Sequence, residues 1–177
     1  MMDSKQDNEL IDQALSGETR AFAALADRHY MTVYRYAFRW VSIREDAEDI
    51  AQEVFIKIGN SLHTFNRQSA FTTWLYRITA NCAKDFLRKN KRWQHNRAVD
   101  PPDERLVSSN PGPEAKSRYD QIVAAVHTLP EKLKEATLLV FAEEMSHKEA
   151  ALVLGCAETT VSWRIFQAKK TLKKVLS

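Results

Sequence analysis

Two clusters of basic side chains have the chemistry that suits a phosphate backbone. From Lys84 to Arg97 there are six Lys and Arg residues against one acid, Asp85, and from Arg164 to Lys174 there are five against none. The formal net charge of the chain is only +3, so the basic residues are concentrated in places. Two separated clusters predict a polyanion that is contacted at two points. Either cluster alone is equally consistent with a solvated helix end, where the helix dipole favours cations.

Residues that could catalyse a reaction or hold a metal are not grouped in this sequence. Cys82 and Cys156 lie far apart, which favours reduced thiols packed as small apolar groups over a disulfide or a CxxC metal site. The five histidines form no HxxxH or HExxH pattern, and there is no glycine-rich phosphate loop. An enzymatic function such as nucleic-acid processing lacks a carboxylate cluster or a nucleophile with a base. We therefore predict no catalytic residue, no metal site and no cofactor.

The run SHKEAALVLGCAETTVSWRIFQAKK (146–170) has the spacing of a helix-turn-helix. Such a motif needs a small residue where the helices cross, a turn residue and an apolar residue that packs back. Ala151, Gly155 and Val161 fit these roles, with Ile165 one turn later. The outer side of the second helix is expected to enter a major groove, with its first residues on base edges and its lysines on phosphates. The predicted contacts are Glu158, Thr159, Thr160, Ser162, Trp163, Arg164, Gln167, Lys169, Lys170, Lys173 and Lys174. Helical hairpins can also show this spacing by chance.

A predicted helix that ends near residue 90 carries cations and aromatic rings on one side. The polar face consists of Thr73, Arg77, Asn81, Lys84 and Arg88, with Trp74 and Tyr76 beside it. Interleaved cations and rings suit single-stranded nucleic acid, because unstacked bases find ring faces and the backbone finds charge. The alternative is that the rings belong to the core and the cations cover it.

An acidic ridge is predicted on the solvent side of the preceding helix, formed by Asp46, Asp49, Gln52 and Glu53. DNA would repel this ridge, so we expect it to contact a protein partner. Acids in a first helical turn are also favoured by the helix dipole, which is an alternative for Asp46 and a weaker one for Glu53.

Composition and apolar periodicity predict an all-α fold. The chain is 44% hydrophobic and 28% charged, which is typical of a globular protein, and Gly 4 with Pro 5 leaves long helices unbroken. Apolar residues recur at three-and-four spacing on both sides of a central gap. The expected boundaries in the first half are Ser16 and Gly17 as a helix end, Glu18 as the next start, Ser42 with Glu45 as a capping box, Gly59 as a helix end and Ser69 as an N-cap.

The central gap contains DPPDE and SSNPGPE and is too long for a connection between packed helices. We therefore predict two small helical domains, 1–92 and 118–177, joined by a flexible linker over 93–117. The boundaries expected in the second domain are Pro130 in a first helical turn, Ser146 with Glu149 as a capping box, Gly155 as a helix end and Thr159 as the cap of the last helix.

The chain shows no run of about 18 apolar residues, the length that spans a membrane. Its first residues, MMDSKQDNELID, are polar and acidic, unlike a secretion signal. No membrane insertion is expected, and the expected location is the cytoplasm.

Four segments in order resemble the extracytoplasmic-function sigma factors of bacterial RNA polymerase: DAEDIAQEVFIKI (46–58), TFNRQSAFTTWLYRITANCAKDFLRK (64–89), LPEKLKEATLLV (129–140) and SHKEAALVLGCAETTVSWRIFQAKKTL (146–172). The resemblance implies a protein that binds core RNA polymerase, directs it to promoter DNA and helps to melt that DNA. The N-terminal domain would be the promoter-melting bundle, and the linker would thread through the polymerase near the RNA exit path. An anti-sigma factor clamped across both domains would be a further partner.

The resemblance also implies roles for individual residues. Asp49, Gln52 and Glu53 match the DxxQE ridge that grips a coiled coil of the largest polymerase subunit. The connector 63–69, with Phe65, Asn66 and Arg67, matches the loop that captures a flipped base of the minus-ten element. Asn81 matches a residue of that base pocket, and Trp74 and Tyr76 lie in the same neighbourhood. The C-terminal helix-turn-helix matches the part that recognises the minus-thirty-five element.

One departure from the family concerns the start of the last helix. Members commonly have TVRSR followed by an Arg, whereas this chain has TVSWR and Gln167. The loss of two potential guanine-contacting arginines and the gain of Trp163 imply a different minus-thirty-five sequence. A stand-alone helix-turn-helix regulator is the alternative function, but it leaves the acidic ridge and the aromatic face unexplained.

Overall fold

The computed structural model describes residues 2–90 and 113–176, and every regular element in these residues is a helix. The all-α prediction is therefore confirmed. Contacts divide the chain into two compact units, Met1–Ala98 and Val99–Ser177. Residues 93–112 of the predicted linker lie outside the described residues. Residues 113–117, which the prediction also assigned to the linker, belong to a helix.

The N-terminal unit is built around one long helix. It contains α1 (Met2–Leu15), α2 (Thr19–Val41), α3 (Arg44–Ser61), a short 3-10 turn (Leu62–Thr64) and α4 (Phe71–Lys89). Helix α2 packs against each of the other three helices, and Leu25, Val33 and Trp40 on α2 are almost fully buried. This arrangement leaves one side of α3 and one side of α4 in contact with solvent.

Three helix boundaries of the N-terminal unit differ from the prediction. Ser42 does not open α3 with a capping box. It ends α2 in a left-handed conformation with φ 55°, and its N–H donates to the Phe38 carbonyl at 2.7 Å. Ile43 is the N-cap of α3, and Ala70, rather than Ser69, is the N-cap of α4. Helix α3 continues past Gly59 to Ser61. Gly59 lies against the Phe22 ring, which a Cβ atom there would meet at 3.5 Å.

The C-terminal unit contains α5 (Pro113–His127), α6 (Glu131–Thr137), a π-helical turn (Leu138–Ala142), α7 (His147–Leu154) and α8 (Glu158–Val175). The predicted capping box is confirmed. The Ser146 N–H donates to Glu149 Oε2 at 2.8 Å, and the Glu149 N–H donates to Ser146 Oγ at 3.2 Å. Gly155 ends α7 at φ 61°, as predicted.

Three details of the C-terminal unit correct the prediction. Pro130 is the N-cap of α6 and does not lie in its first turn. Ala157, rather than Thr159, is the N-cap of α8, so Thr159 lies inside that helix. The apolar spacing of Leu133, Ala136, Val140 and Phe141 predicts a buried Phe141. Phe141 is instead 53% exposed, because the π turn alters the helical phase at that point.

Both cysteines are free: Cys82 is buried in α4, as predicted for a packed thiol, whereas Cys156 is partly exposed in the turn just after Gly155, which corrects the prediction for this residue. Burial raises the pKa of the Cys82 thiol. Across 2–90 and 113–176, no helix is both long and apolar enough to cross a membrane. The same residues contain no group of three His, Cys, Asp or Glu side chains that could hold a metal ion.

Candidate nucleic-acid and partner interfaces

The exposed side of α3 carries the acidic ridge, with one correction. Asp49, Gln52 and Glu53 are exposed, but Asp46 is only 5% exposed. Asp46 lies one turn before the buried Ile50, so it belongs to the inner side of the helix. The expectation that Asp46 faces solvent is therefore wrong, and the ridge consists of the other three residues.

An apolar side chain that the sequence analysis did not single out continues this ridge. Ile56 is 60% exposed, and it follows Gln52 and Glu53 by four and three residues, so it shares their face. Glu53 Oε1 lies 3.4 Å from Lys57 Nζ, which places a cation at the same end. The spacing of the buried Ile50, Val54 and Ile58 places Ile56 on the opposite face of α3, so helical periodicity is the sequence signal that identifies it.

The aromatic residues near the start of α4 form a packed cluster. The Phe65 ring is 5.5 Å from the Phe71 ring and 5.4 Å from the Trp74 ring, and Phe65 is only 8% exposed. The Tyr76 ring lies 5.0 Å from the Tyr36 ring of α2. Phe65 is therefore a core residue, whereas Tyr76 packs on α2 but is only half-buried. Trp74 is half-buried and keeps part of its ring accessible.

The loop before α4 is held locally and by α1. The Gln68 N–H donates to Asn66 Oδ1 at 3.2 Å, and Arg67 between them has φ 58°, in the left-handed region. The Arg67 guanidinium forms an ion pair with Asp12 of α1. Asn66 and Arg67 remain exposed, so these contacts hold the loop while both side chains stay accessible to a ligand.

Asn81 lies apart from the aromatic cluster. It is exposed and lines a pocket of about 410 Å³ whose other lining residues are Lys57, Asn60, Ser61, Ile78 and Cys82. Seven residues separate Asn81 from Trp74, or about 10 Å along the helix. The structure thus places Asn81 against the C-terminal end of α3. Of the predicted cations and polar residues of α4, Arg77 and Arg88 are exposed, while Thr73 and Lys84 are half-buried.

The helix-turn-helix packs as predicted. Val161 is fully buried, Ile165 is 4% exposed and Ala151 is 7% exposed. On the outer side of α8 the predicted contacts divide into exposed side chains (Glu158, Thr159, Ser162, Trp163, Lys169 and Lys170) and half-buried ones (Thr160, Arg164 and Gln167). Phe166, which the prediction omitted, is 63% exposed.

Two contacts between elements fix the outer side of α8. Ser162 Oγ donates to the Glu158 carbonyl at 3.1 Å and lies 2.8 Å from His147 Nδ1 of α7. Lys169 Nζ lies 5.3 Å from the centre of the Phe141 ring, within the range of a cation–π contact. The Ser162 hydroxyl is therefore occupied within the unit.

The C-terminal unit also contains a buried cation. Lys134 of α6 is 6% exposed, and burial lowers its pKa to about 8. Its Nζ lies 3.2 Å from His127 Nδ1, and burial together with Lys134 lowers the pKa of His127 to about 3. His127 is therefore neutral at pH 7.

The two units coincide with two family models. Sigma-70 region 2 matches residues 25–93, and Sigma-70 region 4 matches residues 119–172. The chain is 34% identical to the RNA polymerase sigma-H factor of Pseudomonas aeruginosa, over 99% of this chain and 96% of that protein. It is 33% identical to the ECF RNA polymerase sigma-E factor of Haemophilus influenzae, over 98% of this chain and 96% of that protein. The chain belongs to the extracytoplasmic-function sigma factors.

Solved structures show the same fold. CnrH, in complex with the cytosolic domain of CnrY, aligns with a TM-score of 0.71 and 27% identity over 97% of both chains. The sigma factor RpoE of Bartonella quintana aligns with a TM-score of 0.60 and 20% identity over 93% of this chain and 97% of that one. The predicted family is thus confirmed: the protein is a transcription initiation factor for core RNA polymerase and promoter DNA, not an enzyme. A stand-alone regulator would leave the region 2 match unexplained.

Proposed function

We propose that the N-terminal unit binds core RNA polymerase through the exposed side of α3 and acts on the minus-ten element through α4 and the loop before it. The C-terminal unit recognises the minus-thirty-five element through α8. The observation that supports this division most strongly is the sign of the exposed charge. The outer side of α3 carries Asp49 and Glu53, whereas α8 ends in Lys169, Lys170, Lys173 and Lys174. An acidic side suits a protein partner, and a basic one suits phosphates.

Charge reversal on α3 tests the polymerase contact. Asp49→Lys and Glu53→Lys change exposed side chains, so helical content should persist while binding to core polymerase is lost. Asp27→Lys is the matched control, because it makes the same change at an exposed position on α2. Binding is measured by titration with labelled polymerase. Wild-type affinity in both α3 variants, or equal loss in the control, would remove the ridge from the proposal.

Two substitutions in α8 separate base recognition from phosphate contact. Arg164→Ala should relax the preference at particular minus-thirty-five bases, since a good base contact discriminates by about 1 to 3 kcal/mol. Lys173→Ala should weaken all promoters alike and flatten the salt dependence. Affinities of the holoenzyme for a set of single-base promoter variants, measured at several salt concentrations, distinguish the two. Identical behaviour of both variants would contradict the assignment.

A protein that sequesters the factor is part of the same proposal. CnrH, which has a similar fold, is bound to the cytosolic domain of CnrY in its solved structure. This complex supports a cytoplasmic location and an anti-sigma partner for this chain. Affinity purification of the full chain from its own cells should yield polymerase and, separately, a complex without polymerase. A single complex that always contains polymerase would argue against such a partner.

A further inference from the structure

Helix α8 presents two large aromatic side chains to solvent. Trp163 is 59% and Phe166 is 63% exposed, whereas Val161, Ile165 and Ala168 are at most 4% exposed. Because each helical residue turns by about 100°, Trp163 lies opposite this buried stripe and Phe166 lies beside Trp163. Two adjoining aromatic side chains exposed to this degree on one helix face mark a contact surface.

The charge around the two rings indicates what they contact. Within α8 the acid Glu158 stands in the first turn, and four exposed lysines follow Phe166: Lys169, Lys170, Lys173 and Lys174. The lysines that follow the two rings along α8 suit the phosphates that border a major groove. The two rings are therefore suited to the floor of the groove.

The polar side chains beside the rings are partly engaged in contacts within the C-terminal unit or partly buried. The Ser162 hydroxyl is held by the Glu158 carbonyl and lies against His147, and the side chains of Arg164 and Gln167 are half-buried. Between residues 162 and 168, the exposed side chains other than Ser162 are the two rings. Their chemistry favours an apolar feature of the bases over a hydrogen bond.

We infer that Trp163 and Phe166 select thymine in the minus-thirty-five element through its C5 methyl group. The inference rests on the proposed function of α8. The thymine methyl is the apolar group that base-pair edges display in the major groove. The two residues are spaced by about 4.5 Å along the helix, comparable with the duplex rise of about 3.4 Å per base pair. Each ring therefore contacts a different thymine, in neighbouring base pairs.

Replacing single thymines by deoxyuridine tests the inference, because this removes the methyl group alone. The templates are promoters mapped with holoenzyme formed from the full chain and core polymerase. Wild-type holoenzyme should bind about fourfold more weakly at two neighbouring positions, the fold-change that corresponds to about 0.8 kcal/mol. Trp163→Ala should abolish the difference between thymine and uracil at one position, and Phe166→Ala at the other. Lys173→Ala should lower affinity for both bases equally.

The outcomes distinguish this inference from the function on which it rests. A wild-type footprint over the minus-thirty-five element that is indifferent to every methyl group overturns thymine selection and leaves α8 as the recognition helix. Absence of a sequence-dependent footprint overturns the proposed role of α8 itself. Unchanged promoter affinity in Trp163→Ala and Phe166→Ala, with loss of a co-purifying protein, would assign the two rings to a protein partner and overturn the inference.

Discussion

Nε2 of His29 lies 3.0 Å from Oδ1 of Asp7, and both side chains are buried between α1 and α2. Arg28 Nε lies 3.0 Å from the same oxygen. The His29 ring also meets the Phe71 ring edge-on at 5.2 Å. A single buried carboxylate thus connects α1, through His29, to the aromatic cluster at the start of α4.

Asp7→Ala should destabilise the N-terminal unit by about 2 to 4 kcal/mol, because it leaves buried polar groups without their partner. Asp12→Ala is the matched control on α1. Its pair with Arg67 is exposed, so the expected loss is below about 1 kcal/mol. Hydrogen exchange of the α2 amides measures the loss of stability in each variant. Equal losses of stability in the two variants would show that the buried contact contributes no more than the exposed one.

Ile56→Ala should weaken binding of core polymerase about tenfold, because an exposed apolar side chain beside charged residues is typical of an interface anchor. The loss should be independent of ionic strength, whereas the loss caused by Glu53→Lys should shrink in high salt. Titrations at low and high salt separate the two effects. Ala23→Ser, an exposed change on α2, should leave affinity unaltered. A salt-dependent loss in Ile56→Ala would contradict an apolar anchor.

The buried Lys134 should make the stability of the C-terminal unit depend on pH. Its pKa of about 8 lies below the ordinary value of 10.5, so between these values the unfolded chain binds more protons. The free energy of unfolding should therefore rise from about pH 8 to pH 10.5, and the full penalty, on the order of 3 kcal/mol, is present at pH 7. Calorimetry of the full chain at several pH values measures this rise.

Lys134→Met should remove that rise and stabilise the unit at pH 7. Lys132→Met, which changes an exposed lysine of the same helix, should do neither. If the Lys134→Met variant keeps the wild-type dependence on pH, another group is responsible.

Asn81→Ala should lower open-complex formation and broaden the minus-ten preference while polymerase binding stays intact. Flipping a base costs a few kcal/mol, and the Asn amide both donates and accepts hydrogen bonds to a base edge. A premelted template already supplies the unstacking energy, so it should restore most of the activity. Permanganate reactivity of promoter thymines, on duplex and premelted templates, is the measurement.

The control for Asn81 is Asn60→Ala, which removes the same amide from the wall of the pocket formed by α3. Its base preference should remain that of the wild type. Wild-type melting and preference in Asn81→Ala would leave Asn81 as an ordinary exposed helix residue.

The helix-turn-helix was predictable because its signals are local. Ser146 with Glu149 caps a helix three residues apart, and Gly155 supplies the left-handed residue that ends it. Val161 then packs back onto the preceding helix. Each of these signals acts within a few residues of the chain, so a pattern in the sequence is sufficient to identify them.

The features that were missed depend on distant partners. Asp46 reads as a solvent-facing acid of a first turn, but the packing of α3 on α2 turns it inward. Ser42 has the type and spacing of an N-cap, yet α2 runs far enough to use it as a left-handed C-cap. The contact between Asp7 and His29 spans most of α1 and half of α2. A pattern within a few residues of the sequence cannot reveal a contact between residues so far apart along the chain.

The different surroundings of the two cysteines give the natural chain a selective attachment point. A thiol reacts as its thiolate, and burial both shields Cys82 and raises its pKa. Cys156, partly exposed at the turn between α7 and α8, is therefore the residue that a maleimide dye should modify first. Without engineered cysteines, a fluorophore can be attached beside α8 and used to time the arrival of this helix on DNA in single-molecule recordings.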